Sequence, residues 1–327
     1  MVDVKFAIPK GSLEKATFQM LEQAWYNIQG KERTYRPVID DPGVKLKMLR
    51  PQEIPAAVAE GIYDVGITGQ DWITETNADV NTLLDLEYGK IKLVVAVPES
   101  LQVNSFGELL RIILKQDANV KVSTEYLNIS ERYIRNNSVY KELFGDRGPT
   151  VVTPWFRKGD NPKVMIFLSF GATEAKPPED ADVIIELTET GTTLVRNKLK
   201  IIETILESSS VLVANRESLK DPGKREKIYD VVTLLKGVVD GKKNVHIFAN
   251  VKKDNLDKLL LQLPALKKPT ISSLSDKGWY SINTVVKKDV FLKLLPTFRR
   301  LAQGLVVHEP RQLLQLEEIS RDESYEQ

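Results

Sequence analysis

The chain has 327 residues, 42% hydrophobic and 28% charged, a composition that excludes wholesale disorder and exceeds what one ordinary core organises. Lys plus Arg number 46 against 45 Asp plus Glu, so the formal charge of +1 gives no global field for nucleic acid or an anionic membrane, and any anion must be bound locally. With no cysteine and only His246 and His308, disulfides, thiolate chemistry and sulfur-ligated zinc are excluded.

The opening segment MVDVKFAIPKGSL has no export pattern and no stretch approaches a membrane span, which predicts a cytoplasmic protein. Val4 to Ile8 reads as a strand, followed by Ser12 as an N-cap and apolar residues at helical spacing from Leu13 to Trp25. Val44 to Leu49 reads as a strand, Pro51 to Glu60 as a helix stopped by Gly61, and Asp64 to Ile67 and Leu93 to Val97 as strands. A second alternating section follows Pro98: a helix carrying Phe106, Leu109, Leu110 and Ile113, then strands near Val120 to Ser123, Val164 to Ser169 and Asp182 to Leu187. Such alternation argues for two α/β lobes in series, with a cleft between them. The Gly/Pro/Asn-rich stretch between Asn136 and Lys163 reads as a surface hairpin or excursion.

Asp221-Pro222 opens a charged helix bearing Ile228, Val231, Val232 and Leu235, and Gly237 to Lys243 has the composition of a linker. The remainder predicts strand Val245 to Val251, helix Asp254 to Leu263, strands Thr270 to Leu274 and Trp279 to Val286, helix Asp289 to Ala302 and strand Leu305 to His308. That βαββαβ order is ferredoxin-like. The tail EEISRDESYEQ is polar and predicted to fray. The expected organisation is a discontinuous first lobe of residues 1–97 and 201–240 with its linker helix, a second lobe of 98–200, and a C-terminal domain of 241–327.

Glu186-Leu187-Thr188-Glu189-Thr190-Gly191-Thr192-Thr193-Leu194 lies between an apolar strand and helical spacing. A strand, a turn containing hydroxyls and glycine, and a helix start aim amides and Thr hydroxyls at one point, as a phosphate monoester requires; an N-capped helix with a Thr-rich turn has the same spacing. Glu186 and Glu189 would repel that phosphate, so they are expected to face ribose hydroxyls or a magnesium ion beside it. Ser169 to Glu174 offers a second turn of the same kind. Lys10 and Gly11, Arg50, and Gly66 to Asp71 end successive strands of the first lobe, on the edge where open α/β sheets meet ligands. Tyr126 suits stacking on a base, or a half-buried packing role; Arg132 suits a phosphate, or the solvated face of a helix.

Taken in order, these segments resemble the long form of ATP phosphoribosyltransferase. The resemblance is carried by Ile8-Pro9-Lys10-Gly11-Ser12-Leu13, Leu49-Arg50 through Glu53-Ile54-Pro55 to Asp64–Asp71, Glu125-Tyr126 with Arg132-Tyr133, Gly171-Ala172-Thr173-Glu174, the Thr-Gly-Thr-Thr-Leu loop, and Lys268-Pro269-Thr270-Ile271-Ser272 with Gly278-Trp279. It implies a two-lobed, periplasmic-binding-protein-like α/β core with a ferredoxin-like regulatory domain. The implied enzyme is a pentosyltransferase in which N1 of ATP attacks C1 of phosphoribosyl pyrophosphate with Mg²⁺ present, opening histidine biosynthesis.

On that resemblance Lys10, Arg50 and Arg132 serve catalysis, and Glu186, Glu189, Thr190, Gly191, Thr192 and Thr193 hold phosphoribosyl pyrophosphate. ATP is expected beside Gly11, Asp71, Tyr126, Gly171 and Ala172, and inhibitory histidine at Asn250, Thr270 and Ser272. AMP is implied as a second inhibitor, and a dimer or hexamer as the assembly; no residue is assigned to the metal. Glu at both 186 and 189 departs from the Asp and small residue frequent in the family. The competing readings are a two-lobed ligand-binding or sensor protein without catalysis, and an inactive regulatory subunit of the same fold.

Overall fold

The structure, a computed structural model, describes residues 3–31, 34–263 and 269–316. Lys268 and the 317–327 tail lie outside the described residues. The chain divides into two compact units, of which one comprises Lys5–Glu14 and Met48–Ser218.

That unit holds the second lobe and part of the first; residues 15–47 and 219–240, expected in the first lobe, fall in the other unit. In the first lobe, Val65–Gly69 is buried along its whole length and pairs parallel with Val4–Pro9, Phe6 opposite Val65 and Ala7 opposite Gly66. Ser210–Ala214 lies antiparallel on its other side, with Asn81–Asp85 beyond. Gly66 is required by packing: a Cβ there would lie 2.6 Å from Ile54 Cγ2 and 3.0 Å from Val58 Cγ2, so glycine lets the helix Ile54–Ala59 sit directly on the strand. Pro51–Glu53 winds this helix's first turn as a 3-10 turn.

The second lobe is a seven-stranded sheet in the order Arg157–Lys158, Pro149–Val152, Asn161–Leu168, Val120–Thr124, Val183–Thr188, Ile91–Pro98, Leu199–Ser208. It extends past the 98–200 span at both ends. The helix Phe106–Lys115 starts at Ser105, whose hydroxyl accepts the Glu108 N–H at 3.1 Å, and buries Phe106, Leu109 and Leu110 in this lobe's core. The helix Glu14–Gln23 instead opens two residues past Ser12, with the Glu14 carboxylate accepting the Gly11 N–H at 3.2 Å.

Two sequence expectations change here. The 136–163 segment is no mere surface excursion: after the helix Ser138–Phe144, Pro149–Val152 pairs parallel with Asn161–Leu168 and adds to the sheet. Fully buried Tyr140 ties it down, its hydroxyl donating to Arg147 O at 2.8 Å and accepting from Asn161 Nδ2 at 2.9 Å. Nor is Gly237–Lys243 a linker, because Pro222–Lys243 is one 22-residue helix capped by Asp221. Its glycines serve close contact: a Cβ on Gly237 would lie 2.3 Å from Leu314 Cδ2, and one on Gly241 2.9 Å from the Pro310 carbonyl.

The other unit contains that helix and a four-stranded antiparallel sheet in the order Thr270–Ser273, Trp279–Lys287, Asn244–Lys252, Ala302–His308. With helices Lys253–Leu260 and Lys288–Leu301 it forms the ferredoxin-like βαββαβ fold. One sheet face is core, contributing Val245, Ile247, Ala249, Val251, Ile282 and Val286.

Candidate active site

Four strands of the second lobe run parallel: Pro149–Val152, Asn161–Leu168, Val120–Thr124 and Val183–Thr188. Their carboxyl ends therefore share one edge. The turns following three of them enclose a cavity of about 390 Å³ lined by Glu125, Gly171, Ala172, Glu174, Glu186 and the Leu187–Thr190 and Thr192–Leu194 segments.

The turn after Val183–Thr188 is built by local hydrogen bonding. Gly191 has φ +77, in the left-handed region that glycine adopts without strain, and its N–H donates to Thr188 Oγ1 at 2.7 Å. The chain then turns into the short helix Thr192–Arg196, and the hydroxyls of Thr190 and Thr192 meet at 2.8 Å. Thr190, Thr192 and Thr193 are exposed, leaving their hydroxyls accessible. The neighbouring turn is as tightly specified, with Gly171 at φ +97 and Ala172 at +50.

The cavity is acidic as well as hydroxyl-rich. Burial raises the Glu186 carboxyl above its ordinary value, helped by the charges of Glu125 and Glu174; hydrogen bonds from Thr173 and the Leu187 amide, the latter 2.7 Å, pull it back. Glu125 is likewise raised by burial, against a hydrogen bond from the Gly171 amide. Glu125 and Glu174, quoted above only as motif residues, thus belong to the same electrostatic group as Glu186; their positions just after strand ends were the available signal. Among the described residues no group of three or more His, Asp or Glu side chains is placed to hold a metal ion by itself.

Lys10, Gly11 and Arg50 form a separate group in the first lobe. The Lys10 N–H donates to Leu49 O at 2.7 Å, setting the two strand ends side by side. Gly11, at φ +103, gives room for Arg50, whose Nη1 would lie 3.4 Å from a Cβ at that position. None of these three lines the 390 Å³ cavity.

The remaining expected contacts sit elsewhere. Tyr126 is 1% exposed, stacked on Trp72 at 4.4 Å with its hydroxyl donating to Asp71 Oδ2 at 2.7 Å, so its ring offers no face to a base. Asp71 is equally buried: its Oδ1 accepts the Ser208 hydroxyl at 2.6 Å and its N–H donates to Ser208 Oγ at 3.0 Å. Arg132 donates to the Thr74 carbonyl at 2.7 Å and lines a different cavity, of about 490 Å³, with Tyr133, Asn136 and Glu203. It is not among the residues lining the Thr-rich cavity. Asn250, Thr270 and Ser272 are all exposed on the C-terminal sheet; Ser281 pairs with both Asn250 and Ser272, aligning those side chains in one row across three strands.

Comparison with known proteins adds an independent line. The family model described as ATP phosphoribosyltransferase matches residues 50–237, and that for the HisG C-terminal domain matches 241–309. An ATP phosphoribosyltransferase of Chlorobaculum parvum is 37% identical over 317 residues, 95% of this chain and 97% of the relative. One from Solibacter usitatus is 38% identical over 312 residues, covering 94% and 97%. In fold the chain is similar to the ATP phosphoribosyl transferase (HisG:HisZ) complex from Thermotoga maritima, with a TM-score of 0.54 at 23% identity over 72% of this chain and 98% of that one. The matches run through both lobes and the C-terminal domain, and the chain belongs to the ATP phosphoribosyltransferase family in its long form.

Proposed function

We propose that the Thr-rich turn Thr190–Thr193 grips the 5-phosphate of phosphoribosyl pyrophosphate while N1 of ATP displaces pyrophosphate from C1, the transferase reaction that opens histidine biosynthesis. The observation that carries this is the turn itself: exposed hydroxyls and a left-handed glycine at a strand end, beside a cavity that also presents carboxylates suited to ribose hydroxyls. The full-length match to transferases removes the support for a non-catalytic sensor.

No side chain needs to generate the nucleophile, since adenine N1 already carries a lone pair; the barrier lies in ribosyl cation character and in the charge of the leaving diphosphate. Positioning of both substrates and electrostatic stabilisation supply the catalysis. Lys10 and Arg50 would serve as the cationic pair for the diphosphate; their place at neighbouring strand ends of the first lobe supports a site to which each lobe contributes one half.

The family uses a divalent metal, and the residues present fit magnesium. Mg²⁺ keeps most of its water and needs only one or two carboxylates beside substrate phosphates, which Glu125 and Glu186 in the cavity lining can supply. Glu186 and Glu125 would hold it, and when bound it supplies neutralisation of the diphosphate.

Thr192→Val and Thr193→Val are expected to raise KM for phosphoribosyl pyrophosphate by roughly ten- to a hundred-fold each, the worth of a hydrogen bond to a charged group, with KM for ATP nearly unchanged. Steady-state assays following the ultraviolet-absorbing adduct test this; equal losses for both substrates, or none, would sink the assignment.

For regulation, we infer that histidine binds the exposed row of Asn250 and Ser272 together with Thr270, two residues from Ser272 along the same strand, with AMP acting as an ATP-like inhibitor at the catalytic site, in a homo-oligomer of dimer or hexamer size. Inhibition then requires unequal affinity of histidine for active and inactive arrangements. Ser272→Ala should raise the histidine concentration for half-inhibition by roughly five- to ten-fold, with unchanged activity in its absence. An unchanged inhibition curve would move the regulatory site elsewhere.

A further inference from the structure

The Thr153–Phe156 turn follows the fourth parallel strand, Pro149–Val152, and so emerges on the same sheet edge as the cavity turns. It carries Trp155, 73% exposed, and Phe156, 52% exposed. Beside it, Phe170 is 72% exposed and immediately precedes Gly171 and Ala172 of the cavity wall. The Trp155 and Phe170 rings meet edge to face, centroids 5.9 Å apart and planes at 88°. Single exposed aromatics are ordinary, but two large rings forming a corner at the rim of a ligand cavity make a recognition surface.

The turn holding Trp155 is fixed before any ligand arrives. Thr153 Oγ1 accepts the Trp155 and Phe156 N–H groups at 3.2 and 3.0 Å, and the Thr153 N–H donates to Phe156 O at 2.9 Å. A ring on so constrained a backbone loses little freedom on binding.

Position on the sheet selects the ligand. Strands lie about 4.8 Å apart, so the turn at 169–172, two strands from the Thr-rich turn, is about 10 Å from it. A 5-phosphate in the Thr-rich turn leaves room for a ribose between the two turns, so an acceptor base meeting C1 on the face away from the leaving diphosphate would come beside Phe170 and Trp155. Flat π systems favour stacking on one ring with an edge contact to the other.

We propose that Trp155 and Phe170 form the platform on which the adenine of the acceptor ATP stacks. The proposal rests on the transferase reading above and adds the residues that select a purine acceptor. It also gives the 136–163 segment a role, as the element that carries one ring of the pair.

The test uses the full-length protein, with ATP and phosphoribosyl pyrophosphate binding measured separately by calorimetry. Trp155→Ala and Phe170→Ala alter exposed side chains, and circular dichroism checks that the fold is kept. Each is expected to weaken ATP binding by roughly five- to 150-fold, the range for one stacked base, while phosphoribosyl pyrophosphate binds as before. Trp155→Phe should restore most of the ATP affinity. Unchanged ATP affinity in both alanine variants overturns the platform, as does unchanged affinity with a smaller assembly in sedimentation, which makes the rings a contact between copies of the chain. A parent protein that binds both substrates yet forms no adduct strikes down the transferase reading, and the role in acceptor selection with it; that outcome is read without any aromatic variant.

Discussion

Asp71→Ala is expected to lower the unfolding free energy by about 2–5 kcal/mol, measured by denaturant titration, because it strands two buried hydroxyls at once. Asp71 accepts from Ser208 through one oxygen and from Tyr126 through the other, at 2.6 and 2.7 Å. Ser208 ends the last strand of the seven-stranded sheet, just before the chain enters Ser210–Ala214 of the first lobe. Tyr126 stands at the start of the helix Leu127–Asn136. One carboxylate thus joins a lobe crossing to the base of a second-lobe helix. The same seam is repeated by Glu75, whose oxygens accept the Asn128 and Ile129 N–H groups at 2.9 Å each, capping that helix from the other lobe. Burial and the Asp71 charge raise the Tyr126 hydroxyl far above its ordinary value, so it remains a donor across the working pH range. Tyr126→Phe leaves one carboxylate oxygen unpaired and should cost about 1–3 kcal/mol with no change in KM for ATP. A large rise in that KM with stability intact would instead restore Tyr126 to the nucleotide site.

The lobes, the Thr-rich turn and the ferredoxin-like domain were legible because each rests on local rules: period-2 and period-3.6 patterning, a glycine where φ is positive, and βαββαβ order. What escaped depends on long-range packing. Gly237 and Gly241 have linker composition but lie inside a helix, since only the approach of Leu314 and Pro310 gives their missing Cβ a purpose. Pro149–Val152 is only four residues long and hidden among Gly and Pro, so its place as a buried parallel strand is decided by its neighbour Asn161–Leu168. Motif and chain position say that Arg132 and Tyr126 follow a strand but not what each side chain meets; here those partners are the Thr74 carbonyl and the Trp72 ring.

Replacing Glu186 by Gln should change stability and activity in opposite senses. In the folded protein burial, with the charges of Glu125 and Glu174, holds this carboxyl above its ordinary value of 4.5, so the native state binds the proton more tightly than the unfolded chain does. By linkage, that contribution is complete below 4.5 and is lost as pH rises from there through the folded-state value. The ligand-free enzyme therefore loses stability across this window, and Glu186→Gln should show a shallower decline and greater stability above it. Glu125 and Glu75, raised in the same direction by burial, keep part of the slope. Activity should fall roughly ten- to a hundred-fold, since a neutral amide makes a weaker hydrogen bond to ribose and a poorer partner for a cation. Glu189 is exposed in the cavity lining, and Glu189→Gln should change kcat/KM far less. Chemical denaturation between pH 4 and 8 with and without Mg²⁺, paired with steady-state kinetics, reads both effects. The carboxylate that meets the sugar is the one whose removal costs turnover while steadying the empty protein, and the reverse pattern at Glu189 would exchange the two roles.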